Sequence, residues 1–135
     1  MKRDMDLIRE ILLFAEANCD GKDDFVIEVA HLSGKFPNIT PEKLNEHVTL
    51  TIERELIEAN GTFGDYGISR LTWEGHEFLD NSREPAIWNA TKKAAGHLSF
   101  GVFCSVLTQL ATNHGLGLLK SGFSAAVETV SGGGS

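Results

Sequence analysis

The stretch from Thr40 to Leu71 restricts the fold more than any other part of the chain. Thr40-Pro41 is a helix start, because the threonine hydroxyl accepts from first-turn amides and proline's fixed φ and missing N–H suit the first helical position. Leu44, Val48, Ile52 and Leu56 then recur every fourth residue, laying one apolar stripe along a helix that the spacing carries to Ala59, with Asn60-Gly61 as its stop. From Thr62 to Leu71 the pattern changes to two short strands about a glycine-rich turn. A helix that runs directly into a small hairpin needs further helices to cover its apolar side.

Those helices are legible on both flanks. Met5, Ile8, Ile11, Leu12 and Ala15 keep helical spacing from Asp4 to about Ala17, with Leu7 and Phe14 widening the stripe. Asp4 is placed to cap the first turn, and Asn18 with Gly21 to stop the last. Phe25 to Val29 reads as a short strand or as the start of a short helix through Leu32, before a loop at Gly34, Pro37 and Asn38. Thr72 caps a helix carrying Trp73, His76, Phe78 and Leu79, which Pro85 either kinks or follows with a new helix holding Ile87 and Trp88. The expectation is a mainly α fold with a small β wing: a winged helix-turn-helix over residues 1–97 and a C-terminal helical extension over 98–130.

That extension has its own character. Leu98 to Leu119 contains no Lys, Arg, Asp or Glu. Phe100, Phe103, Leu107 and Leu110 share one face of a helix capped by Ser99 and broken at Gly115 and Gly117. The stretch is long enough to raise a membrane span, but Ser99, Gln109, Asn113 and His114 interrupt it and the expectation is no membrane contact. The four apolar residues are instead expected to cover the domain core or to form a homodimer seam, with the seam slightly favoured. Ser131 to Ser135 reads as a glycine-serine linker outside the functional argument.

Two segments carry a resemblance. Met1-Lys2-Arg3-Asp4-Met5-Asp6-Leu7-Ile8-Arg9 and Arg70-Leu71-Thr72-Trp73-Glu74-Gly75-His76-Glu77-Phe78-Leu79-Asp80 resemble an uncharacterised winged-helix family of bacteria and their prophages, related to the YjcQ-like proteins. The resemblance covers roughly the first hundred residues. It implies a winged-helix fold and a mobile-element setting, and it brings no activity or site residues.

Charge decides between binding partners. The chain carries 12 basic and 19 acidic residues, a net charge of −7, whereas backbone contact with nucleic acid draws its affinity from neutralising phosphates. With the apolar stripe of the 41–59 helix turned inward, its outer face presents Glu42, Glu46, Thr49 and Glu53. That is where a winged helix would present Arg, Lys, Asn or Gln to the major groove. The expected partner is therefore a protein with a basic surface, and the chain a non-enzymatic interaction module of phage or prophage origin in defence, counter-defence or regulation. The alternative is a DNA-binding regulator using Lys2, Arg3, Arg9, Tyr66 and Arg70, with Lys92-Lys93 in support.

Chemistry of other kinds finds little purchase. His76-Glu77-Phe78-Leu79-Asp80 approaches the H-E-x-x-H zinc motif, but Asp80 stands where the second imidazole is needed, so no metal or cofactor is expected. Cys19 lies beside Asp20 and Cys104 within an apolar pattern, neither of which favours a thiolate nucleophile. Two distant cysteines and acids near the start, where a secretion signal would have its apolar run, lead to an expectation of a cytoplasmic protein. Gly75, inside a helix, calls for close packing against the wing.

Overall fold

The computed structural model describes residues 2–19, 27–28 and 34–132, with the backbone alone for 27–28 and 118–132. It is mainly helical with a small antiparallel sheet: α1 (Met5–Asn18), β1 (Ile27–Glu28), α2 (Pro41–Glu53), β2 (Ile57–Thr62), β3 (Asp65–Leu71), α3 (Trp73–Ser82), α4 (Pro85–Ala95) and α5 (Phe100–Gly132). The chain divides into two compact units, Met1–Asp80 and Asn81–Ser135. The division falls inside α3, upstream of the 97/98 boundary drawn from composition.

In the first unit, Asp4 caps α1 by accepting from the Leu7 amide at 3.1 Å. Met5, Leu7, Ile8, Ile11, Leu12 and Ala15 are buried as their spacing requires. α1 packs on α2, which contributes Leu44 and Val48, and on β3, which contributes Ile68 and Leu71. The sheet order is β1-β3-β2, so β3 is the central strand. Ile27 pairs with Ile68 and Glu28 with Gly67, in agreement with the strand alternative; residues 25–26 and 29–32 of that expectation lie outside the described residues. β2 and β3 are joined through Phe63-Gly64, where Gly64 takes φ +87°, a turn conformation that favours glycine.

The 41–59 helix expectation is corrected here. α2 stops at Glu53, and residues 57–59 belong to β2. The stop is a Schellman-type cap: the Glu55 amide donates to the Ile52 carbonyl at 2.9 Å and the Leu56 amide to Thr51 at 2.9 Å. The C′ position that glycine usually fills holds Glu55 at φ +57°, so no glycine signals the end. Contacts from further along the chain fix the turn: Thr72 donates its amide to Leu56 at 3.1 Å and its hydroxyl to the Glu55 carbonyl. A non-glycine residue in this region costs about 1 kcal/mol. Glu55→Gly is therefore expected to raise stability by up to about 1 kcal/mol in chemical denaturation; a loss would show that the glutamate side chain offsets the backbone strain.

In the second unit Pro85 opens α4 as a new helix. α4 and α5 pack together, with Trp88 and Phe103 edge to face at 5.5 Å and Lys92 Nζ 5.9 Å from the Trp88 ring centre. Ser99 caps α5, its hydroxyl accepting from Val102 at 3.2 Å. The break expected at Gly115 and Gly117 does not occur. α5 continues through both, since a glycine within a helix costs only about 1 kcal/mol against alanine and removes no hydrogen bond. Ser131 and Gly132 close this helix, and residues 133–135 lie outside the described residues. Of the four apolar residues of α5, Phe100, Phe103 and Leu107 are buried within one copy of the chain, as the core-covering alternative requires, and Leu110 is half-buried. Among the described residues no helix is long and apolar enough to cross a membrane.

Candidate functional site

The outer face of α2 starts from its cap. The Thr40 hydroxyl accepts from the Lys43 amide at 3.2 Å, fixing the first turn. From there Glu42, Glu46 and Glu53 are exposed and Thr49 is half-buried, so all four residues expected on the outward face lie there. Thr49 ties this face to the hairpin. Its hydroxyl donates to the Asn45 carbonyl at 2.8 Å, which commits its single proton and leaves the Tyr66 phenol, 3.0 Å away, as donor to Thr49 Oγ1. Tyr66 in turn meets Phe63 edge to face at 6.5 Å. Phe63 is 52% exposed at the hairpin tip, so the acidic face runs into an aromatic pair. The sequence reading passed over Phe63; a large apolar residue in a two-residue turn was the signal that would have found it.

The inner face of α2 holds a residue that the hydrophobic stripe concealed. His47, fully buried, sits with Leu44, Val48 and Thr51 on the core side. Its Nε2 accepts from the Asp4 backbone amide at 2.8 Å, so Nδ1 carries the ring proton, donated to the Lys43 carbonyl at 2.7 Å. Lys43 Nζ reaches the Asp4 carboxylate at 3.3 Å. The start of α1 is thus pinned to α2 by one imidazole and one ion pair.

The basic residues of the alternative reading are scattered over separate elements. Lys2 and Arg3 precede α1 and are exposed, Arg9 is half-buried within it, and Tyr66 is bound to Thr49 as described. Arg70 stands opposite Glu58 in the strand register and bonds its carboxylate at 2.7 Å. That hydrogen bond holds the Glu58 carboxyl below its ordinary pKa and raises that of Arg70. A phosphate approaching Arg70 would have to displace a charged partner already in place.

Of the residues able to do other chemistry, His76 is exposed, Cys19 is buried and Cys104 is half-buried. No group of three His, Cys, Asp or Glu is placed to hold a metal ion among the described residues. Gly75 is packed against the turn that precedes the hairpin, as its position inside a helix demanded: a Cβ there would lie 2.1 Å from the Leu56 carbonyl oxygen.

A family model described as hypothetical protein (DUF2513) matches residues 2–101. An uncharacterized protein of Haemophilus influenzae is 33% identical over 119 residues, covering 82% of this chain and 92% of its own length. No solved structure gives a significant match.

Proposed function

The chain belongs to the DUF2513 family of hypothetical proteins, and from that premise we propose that it is a non-enzymatic protein-interaction module on a winged-helix frame. The order α1-β1-α2-β2-β3, with a sheet order of β1-β3-β2, supports the frame. In that frame α2 is the recognition helix and β2-β3 the wing.

One observation carries the choice of partner: the outward face of the recognition helix is acidic. Between residues 41 and 71 there are six carboxylates and three basic side chains. Lys43 is held in an ion pair by Asp4 and Arg70 by Glu58. Glu42, Glu46 and Glu53 would repel the phosphate backbone along the usual docking approach and attract a basic protein surface. Exposed Phe63 beside them supplies an apolar anchor of the kind that concentrates binding energy at interfaces. The mobile-element setting implied by the sequence resemblance supports a role for such a module in phage or prophage defence, counter-defence or regulation.

The test is reversal of charge at Glu46 and Glu53, both to lysine, in the full chain. Affinity for a captured protein partner is expected to fall by about a hundredfold or more, since like charges forced together across an interface cost several kcal/mol. Circular dichroism and Tm should be unchanged, because both residues are exposed. Unchanged capture would sink the acidic-face reading. Duplex DNA binding that falls steeply with salt, and that the reversal strengthens, would replace it with the regulator reading.

A further inference from the structure

A second surface feature lies where the recognition helix, the hairpin base and α3 converge. The first turn of α3 exposes Trp73 to 75%, although tryptophan is a highly buried residue on average. Its indole N–H donates to Glu77 Oε1 at 3.0 Å, which fixes the ring's orientation. Beside it is an open cleft of about 400 Å³, within the size range of small-ligand sites. Ile52 and buried Ile57 give the cleft apolar lining. Its charged lining is Glu55, Glu58 and Glu74 against the single guanidinium of Arg70, itself bonded to Glu58. Glu55 reaches this position through the left-handed backbone that ends α2. An aromatic plane held by a hydrogen bond, apolar lining and excess carboxylates together suit a planar cation on an alkyl stem.

We propose that the Trp73 cleft is the anchor pocket for an arginine side chain of the protein partner, with the guanidinium stacked on the indole and bonded to the glutamates. The proposal deepens the protein-interaction reading and rests on it for the natural partner, but the cleft shares with α2 only Ile52 at that helix's end, so Glu46, six residues earlier, lies apart from it. Arginine is preferred over lysine because its planar fork both stacks on an aromatic face and bonds a carboxylate through two N–H groups. An anion is disfavoured, since Arg70 is engaged and three carboxylates line the cleft.

The experiment uses the full ¹⁵N-labelled chain and the blocked tripeptide acetyl-Gly-Arg-Gly-amide, with the lysine and glutamate tripeptides as comparisons. The Trp73 indole cross-peak, assigned by its loss in Trp73→Phe, is expected to shift and saturate with the arginine peptide, less with lysine and not with glutamate. Trp73→Ala is expected to weaken the arginine peptide by about tenfold at unchanged Tm, with Trp73→Phe intermediate. Glu55→Gly should weaken it while leaving the chain at least as stable. Reversal of Glu46 alone, six residues and about 9 Å of helix from Ile52, should leave probe affinity within about twofold at physiological salt, where screening acts over roughly 8 Å. A shift that never saturates, an equal response to the glutamate peptide, or full affinity in Trp73→Ala would overturn the pocket. So would loss of probe binding on reversing Glu46 alone, because that marks diffuse attraction. If probe binding persists while partner capture is indifferent to Glu46 and Glu53, the helix-face reading fails and the pocket stands.

Discussion

Gly75→Ala is expected to lower stability by about 3 kcal/mol or more, in a helix where alanine would ordinarily stabilise by about 1 kcal/mol. The sign is decided by contact. The added Cβ would lie 2.1 Å from the Leu56 carbonyl oxygen and 3.0 Å from Leu71 Cδ2. The leucine side chain has room to rotate, but the carbonyl does not, because it already accepts from the Thr72 amide. Thr72 also caps α3 by accepting from the Gly75 amide at 3.1 Å. A methyl group therefore has to push α3 away from the turn that carries Glu55 and Leu56. For a unit of this size the expected loss corresponds to a Tm lower by roughly 12–24 °C, read by circular dichroism. A rise in Tm would mean that helix propensity prevails and that the close approach of α3 to the turn is not maintained in solution.

The second large effect is expected at His47. Truncation to alanine removes a buried ring and leaves the Asp4 amide without its acceptor, and is expected to cost about 3–5 kcal/mol. His47→Phe leaves no cavity, because it fills the site with a slightly larger ring, and it deletes the hydrogen bonds; a loss of about 1–2 kcal/mol is expected. Denaturant midpoints of the two variants, compared with the parent, check the division. Equal losses would assign the whole effect to the polar network joining α1 to α2. A phenylalanine variant as stable as the parent would mean that the imidazole serves as packing alone.

Most of the helices could be read from the chain because their signals are local. Asp4 before Met5, Thr40 before Pro41, Thr72 before Trp73 and Ser99 before Phe100 each place a short hydroxyl or carboxylate where first-turn amides lack partners. The acidic outer face of α2 was equally accessible, since it follows from turning Leu44 and Val48 inward. His47 was not, because a histidine among leucines and valines reads as an interruption of the stripe until Asp4, 43 residues away, is brought to it. Phe63 and Trp73 escaped for the opposite reason: aromatic residues are expected inside, and their exposure depends on what the fold leaves uncovered.

The end of α2 shows where local reading stops. Leu56 continues the four-residue spacing, and Ala59 precedes Asn60-Gly61, so nothing nearby opposes a helix to that point. The chain instead turns at Glu55 in a conformation unfavourable to glutamate, and Ile57 to Thr62 become the outer strand beside β3. Pairing with Asp65 to Leu71, together with the Thr72 bonds to Glu55 and Leu56, outweighs both helix propensity and strain. By itself the sequence determined the helix starts, the hairpin turn, the sign of the surface charge and the apolar faces, because each depends on residues within a few positions of one another. Only the tertiary structure decided where α2 ends, that Phe100, Phe103 and Leu107 of α5 are buried within one chain, and that Trp73 stands open beside a cleft of glutamates. Those outcomes depend on contacts between residues far apart in the chain, whose strength no local pattern records.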